Sequence, residues 1–199
     1  MPADYALDKA AQDLLFRSAR TANTFTDEPV NDAQVEDIYD LMKWAPTSFN
    51  QQPLRVVLVR SGQARDNLVS LMWDNNQEKT RNAPLVAVLA ADTQFTEHMP
   101  TQFPVFPQAA DVFFGEKQVR EESASFNAAL QVGYFILGVR AIGLAAGPMS
   151  GFDVDGVNRE FFSDGRHRAL AVVNIGKPGQ DAWYDRLPRL GYDQVVSTV

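Results

Sequence analysis

The sequence predicts one domain of mixed helix and strand, and three observations carry that reading. Three short runs, Leu54 to Val59, Leu85 to Ala91 and Ala169 to Ile175, are nearly continuous in apolar character, as strands buried on both faces are. Longer segments with apolar residues at helical spacing separate them. No internal repeat, low-complexity tract or linker interrupts residues 1–199, so the whole chain reads as a single domain.

In chain order, Leu7, Ala10, Ala11, Leu14 and Leu15 make an amphipathic first helix reaching about Ala19. Arg20 to Phe25 is a polar stretch with one fixed positive charge. Asn31 and Gln34 have the spacing of a capping box ahead of a second helix to about Trp44, with Val35, Ile38, Tyr39 and Met42 on its apolar face. After the first strand, a helix from Gly62 to about Trp73 turns Leu68, Leu71 and Met72 inward, and Asn75 to Arg81 adds a turn or two. Pro84 starts the second strand and Asp92 ends it.

Thr93 to Gln108 holds Pro100, Pro104 and Pro107 among Phe95, His98, Phe103 and Phe106 with no usable period, and reads as a long functional or covering loop. Val119 to Leu144 is the longest helical candidate. Its second half, apolar nearly all round, predicts burial from every side, in a core or between subunits. Gly147 to Phe152 is a turn-forming run in which glycines let backbone groups come close to a flat ligand. Asp153 caps a short helix through Phe161, and after the third strand the tail from Gly179 shows no strong period.

Composition excludes several functions. With 45% hydrophobic and 22% charged residues the chain is an ordinary globular one. It has no cysteine, which removes disulfides, thiolate metal sites and cysteine nucleophiles, and only two histidines, His98 and His167, which removes multi-histidine metal sites. A net charge of -7 without a basic run argues against nucleic-acid or anionic-membrane partners. Asp4 and Asp8 mark an N-terminus unlike a signal peptide, and the most apolar segment, Val132 to Val139, is far short of the roughly 20 residues of a membrane span, so a cytoplasmic location is expected. The GxSxG, GxGxxG and P-loop patterns are absent.

What remains is a set of polar loops. Between Pro46 and Pro53 the chain places the hydroxyls of Thr47 and Ser48 and the amides of Asn50, Gln51 and Gln52, a density of hydrogen-bonding groups that suits a polar small molecule. A solvated connector is the plainer reading of any such loop taken alone.

Taken together, the loops resemble the nitroreductase family. Arg20-Thr21-Ala22-Asn23-Thr24-Phe25 with Pro29-Val30 is similar to that family's RS-x-R/K-x-F…PV opening, Trp44 to Pro53 to its APSSxNxQP loop, and Gly147 to Phe152 to its GxxxGF turn. The resemblance implies an α+β fold, a mixed central sheet flanked by helices, and an intertwined homodimer whose two chains share each flavin mononucleotide (FMN) site. By position, Arg20, Thr21 and Arg186 would hold the phosphate, whose acceptor oxygens suit guanidinium forks. Pro46, Thr47, Ser48 and Asn50 would reach the cofactor from the partner chain, and Pro148, Met149, Ser150 and Gly151 would lie along the isoalloxazine. Asn23 stands beside the pyrimidine ring where many relatives carry Lys or Arg.

NADH or NADPH would be the hydride donor and the flavin the carrier, so no side chain is named as catalytic acid or base and no metal is implied. Within the family the loops, with Arg186-Leu187-Pro188-Arg189-Leu190, are most similar to members that reduce malonic semialdehyde to 3-hydroxypropionate in uracil breakdown. That small-molecule substrate carries a carboxylate, for which Arg55, Arg81, Arg120 and Arg140 are candidates. A broad nitro or quinone reductase, and a protein that stores or senses FMN without turnover, are the alternatives.

Overall fold

The computed structural model describes residues 5–60 and 62–199; Asp4 lies outside them. Helix α1 (Lys9–Gln12) is capped by the Asp8 carboxylate, which accepts from Ala11 N at 2.7 Å, and continues as a π-helical turn over Asp13–Arg17. None of its residues is buried, and Leu14 and Phe16 face outward at 48% and 54% exposure. The first helix is thus shorter than its pattern suggests, and this chain leaves its apolar side open.

Helix α2 (Asp32–Met42) begins with the expected capping box, Asn31 accepting from Gln34 N while Gln34 accepts from Asn31 N. Ile38 and Met42 are buried, but Tyr39 points outward, against its assignment to the apolar face. After strand β1 (Leu54–Val59) come α3 (Gly62–Leu71), α4 (Asp74–Arg81) and β2 (Leu85–Asp92), close to the sequence boundaries.

The expected loop from Thr93 to Gln108 is instead a chain of short turns: a 3-10 turn (Phe95–His98), α5 (Met99–Gln102) and, just beyond, α6 (Ala109–Phe114). Four-residue pieces are shorter than the window in which helical periodicity can be read. Helix α7 (Lys117–Ala141) follows, then β3 (Ala145–Met149), α8 (Val154–Phe161) with Asp153 capping Gly156 N at 3.0 Å, β4 (His167–Gly176) and α9 (Tyr192–Val195) in an exposed tail.

Strand β3 stands where the sequence pattern predicts the end of a helix running into a turn. Ala-Ala-Gly-Pro-Met has little strand propensity, and Pro148 is tolerated because β3 is an edge strand in the order β1-β2-β4-β3. All pairings among the described residues are antiparallel, so the expected mixed sheet is corrected to an antiparallel one. Between β1 and β2 the chain makes two helical passes, α3 and α4, rather than the single crossover that produces a parallel neighbour.

Helices cover both faces of this sheet. Along β2, Leu85, Ala87, Leu89 and Ala91 pack with Ile38 and Met42 of α2 and Ala128, Phe135 and Val139 of α7. Val86, Val88 and Ala90 pack on the opposite side with Leu68 of α3 and Val157 of α8. Double coverage is the reason β2 reads as an unbroken apolar run. Helix α7 is not buried all round in one chain: Phe126, Leu130 and Tyr134 form a stripe that is 65%, 40% and 39% exposed.

Candidate active site

The loop from Pro46 to Pro53 joins α2 to β1. Ser48–Asn50 form a 3-10 turn in which Phe49 and Asn50, followed by Gln52, take φ values of 51°, 50° and 46°. Non-glycine residues in this left-handed region each cost about 1–3 kcal/mol and persist only where their surroundings over-determine them. Here the Phe49 ring sits among Phe103, Phe113 and Phe114 with centroids 5.3, 5.1 and 5.6 Å away. Asn50 donates to Gln102 O at 2.9 Å, and Gln52 Nε2 donates to both Asn50 Oδ1 and Gln102 Oε1. Thr47 Oγ1 accepts from Gln52 N at 3.2 Å. Pro46, Ser48 and Asn50 remain exposed at the surface of this tightly held turn.

A second group gathers behind α1. Arg20, Thr21, Asn23 and Arg186 line one cavity of about 260 Å³, together with Asp185 and Arg189. Arg20 donates to Tyr184 O at 3.0 Å, and Arg186 Nη2 donates to Arg17 O and Ala19 O at 2.6 and 2.9 Å. Arg140 lines an adjoining cavity with Ser18 and Arg20 and donates to Leu15 O at 3.2 Å. Burial, and then the positive charge of Arg186, hold Arg140 below the usual guanidinium range. Among the described residues none of these three arginines forms an ion pair with a carboxylate, although the chain as a whole is acidic. Three cations brought close together, whose hydrogen bonds go to backbone carbonyls, outnumber the one carboxylate beside them, Asp185, and make a site suited to an anion with several acceptor oxygens.

The third group is strand β3 and the turn after it. The segment before Phe25 lies against β3, Ala22 N donating to Ala146 O at 3.0 Å, and a Cβ on Gly147 would fall 2.5 Å from Ala22 O. Pro148 is half-buried and Met149 buried, while Ser150 is exposed. Gly151 O accepts from Trp73 N and Asn76 Nδ2, both at 3.0 Å, and a Cβ on Gly151 would meet that same amide and the Trp73 ring within 3 Å. Glycine is therefore required at 147 and 151 by close approach, where the sequence alone suggested room for a flat ligand.

Asn23 donates weakly to Thr21 O and Ala182 O, at 3.3 and 3.4 Å. It shares a cavity with Asn75, Glu78 and Lys79 of α4. Burial lowers the pKa of Lys79. Lys79 lies outside the residues that the family resemblance implies; the sign of it in the sequence is Asn23, a neutral residue where many relatives carry a cation.

The chain thus unites Arg20, Thr21, Asn23 and Arg186, and sets them beside the segment that pairs with β3. It does not bring Thr47, Ser48 or Asn50 to the cavities that hold them. Of the arginines considered for a substrate carboxylate, Arg55 pairs with buried Asp92 at 2.8 Å and Arg120 donates to the carbonyls of Thr93, Phe114 and Gly115. Arg81 is exposed.

The family model described as "Nitroreductase family" matches residues 16–177. A protein of Streptomyces griseus named "Putative NADH dehydrogenase/NAD(P)H nitroreductase" is 63% identical over 193 residues, covering 97% of this chain and 98% of its own. The similar relatives carry that name rather than malonic semialdehyde reductase. Among solved structures, a Bacillus subtilis protein described as "putative nitroreductase ydfN" superposes with a TM-score of 0.87 at 22% identity over 96% of this chain and 100% of its own. An Exiguobacterium sibiricum protein described as a "putative nitroreductase in complex with FMN" does so with a TM-score of 0.85 at 18% identity over 98% and 99%. The antiparallel sheet clothed in helices, the match across residues 16–177 and the close relatives make this chain a member of the nitroreductase family.

Proposed function

We propose that the chain is an FMN-dependent NAD(P)H oxidoreductase with broad acceptor range, reducing nitro and quinone compounds, folded as one domain and working as a homodimer. The observation that carries the reading is the meeting of Arg20, Arg140 and Arg186, none of them in an ion pair among the described residues although Asp185 lines the same cavity. These residues fit the phosphate of FMN, and the names of the similar relatives supply the donor and the acceptor class. When bound, FMN supplies hydride transfer between the nicotinamide and the acceptor.

The chain's own residues then bind and orient. Arg20, Arg186 and Arg140 would hold the phosphate, with the Thr21 hydroxyl as a further donor. Pro148, Met149, Ser150 and Gly151 would lie along the ring. Asn23 would bond the pyrimidine edge, and Lys79, lining the same cavity, would supply the positive charge that Asn23 lacks. Thr47, Ser48 and Asn50 would complete the site of a second copy, because in one chain they lie away from the arginine cavities. The homodimer reading has independent support: the exposed apolar residues Leu14 and Phe16 of the turn after α1, and Phe126, Leu130 and Tyr134 of α7, are of the kind that a subunit interface covers.

Malonic semialdehyde is the narrower second reading, supported by the likeness of the loops. It needs a cation free for the substrate carboxylate; Arg55 and Arg120 are engaged elsewhere and Arg140 belongs to the phosphate set, which leaves Arg81. Steady-state reduction of a quinone, a nitrofuran and malonic semialdehyde by the FMN-loaded protein, with NADH and with NADPH, separates the readings. Comparable kcat/KM for the neutral acceptors supports the broad enzyme. A preference for the semialdehyde of 100-fold or more (roughly the discrimination that one well-placed charge contact provides) supports the narrow one. FMN binding without NAD(P)H oxidation by any acceptor would mark a storing or sensing protein.

A further inference from the structure

Helix α7 carries Ser123, Asn127 and Gln131 at i, i+4 and i+8, one polar row along a single face. Asn127 and Gln131 are each 2% exposed. A buried amide is costly unless its hydrogen bonds are made. Each of the three side chains bonds the same segment, residues 48–54. Asn127 Oδ1 accepts from Ser48 N at 2.7 Å, Gln131 Oε1 accepts from Leu54 N at 2.9 Å, and Ser123 Oγ exchanges hydrogen bonds with the Gln51 amide at 3.0 and 3.2 Å. The row is braced from within, since Asn127 Nδ2 donates to Ser123 O at 2.9 Å.

The segment so held is the one with three non-glycine residues in the left-handed region. Because α7 engages the backbone N–H of Ser48 and the buried amide of Gln51, the Ser48 hydroxyl stays exposed and without a partner among the described residues. A chain that merely needed to connect α2 to β1 would not require a strained turn pinned by a buried polar row.

We propose that Ser123, Asn127 and Gln131 are positioning residues, which hold the Thr47–Pro53 loop in the shape that receives the flavin before any cofactor arrives. The proposal rests on the FMN reading above. A loop that is competent only part of the time raises the apparent Kd by the inverse of that fraction. If the loss of one anchor leaves the loop correctly shaped about a tenth of the time, FMN binds about tenfold more weakly.

The test compares Asn127→Leu, which removes the acceptor, with Asn127→Asp, which keeps an oxygen facing Ser48 N. Hydrogen exchange at the Ser48 amide reads the loop, and fluorescence titration with FMN reads binding. Asn127→Leu should speed Ser48 exchange and raise the FMN Kd about tenfold, while Asn127→Asp returns both toward wild type. Faster exchange with unchanged affinity overturns the proposal and leaves the row a purely structural feature. If Asn127→Leu does not fold, Ser123→Ala replaces it, with the same two readouts and a smaller shift expected. A wild type that binds no FMN ends the cofactor reading and this one with it, whereas equal binding by wild type and variant ends this one alone.

Discussion

Replacing Asp92 by Ala tests whether the far end of β2 secures the loop opposite it. The carboxylate is 1% exposed and accepts from Arg55 Nη2 at 2.8 Å, from Arg166 Nε and Nη2 at 2.9 Å each, and from Gln94 N at 2.9 Å. Its own backbone N–H donates to Pro53 O at 2.8 Å, so the residue ties the end of the Thr47–Pro53 loop to the start of the short-helix segment. Breaking a buried ion pair by removing one partner costs about 3–5 kcal/mol. Arg55 and Arg166 are 32% and 27% exposed and can be rehydrated, which favours the lower figure, about 3 kcal/mol.

For a domain of this size each kcal/mol moves Tm by about 2–4 °C, so the melt should fall by about 6–12 °C at pH 7. The effect has a sign in pH. Burial pushes the Asp92 pKa up, but the hydrogen bonds from Arg166 and Gln94 and the charges of Arg55 and Arg166 outweigh it and hold it below the usual value. The stabilisation is therefore full above the unfolded-state pKa of about 3.9 and is lost as pH falls through the lower folded-state value. Thermal melts by circular dichroism from pH 7 down to pH 2 should show the gap between wild type and Asp92→Ala closing in acid. A shift under about 2 °C at pH 7, where about 3 kcal/mol is expected, or a gap that is constant with pH, would refute the reasoning.

Arg186→Ala should weaken FMN binding about tenfold or more while sparing riboflavin, because a lost charge-assisted contact to phosphate is felt only by the phosphorylated flavin. Arg189→Ala should weaken it less: Arg189 lines the same cavity but donates to the carbonyls of its neighbours Leu187 and Pro188, whereas Arg186 reaches the Arg17 and Ala19 carbonyls at the start of the Arg20 segment; equal losses in the two titrations would place the phosphate elsewhere. Gly147→Ala puts a methyl 2.5 Å from Ala22 O and should cost about 1–3 kcal/mol in denaturant unfolding, whereas Gly133→Ala, with nothing within 4 Å, should cost far less in the monomer. Phe126→Asp should turn a wild-type dimer into a monomer by light scattering, and a wild type that is monomeric would remove the shared-site arrangement.

Strands β1, β2 and β4 were legible because helices cover both faces of the sheet and leave an unbroken apolar signature. The Asn31–Gln34 and Asp153 caps were legible because capping is local chemistry. Strand β3 was hidden by Ala, Gly and Pro, residues whose strand conformation is imposed by pairing with β4 rather than by propensity. The short helices after β2 fell below the reach of periodicity. Arg20 and Arg186 were placed by resemblance. Their meeting with Arg140, the approach of Lys79 to Asn23, and the row on α7 depend on contacts between distant parts of the chain that spacing does not encode.

The most direct test of the central claim is a flavin titration of the purified protein, followed under anaerobic conditions by addition of NADH or NADPH. The account predicts tight binding of FMN in preference to riboflavin, and bleaching of the absorbance near 450 nm (roughly the visible band of oxidised flavin, the hydride-carrying cofactor). Equal affinity for the two flavins, or bound FMN that neither nicotinamide bleaches, would contradict it.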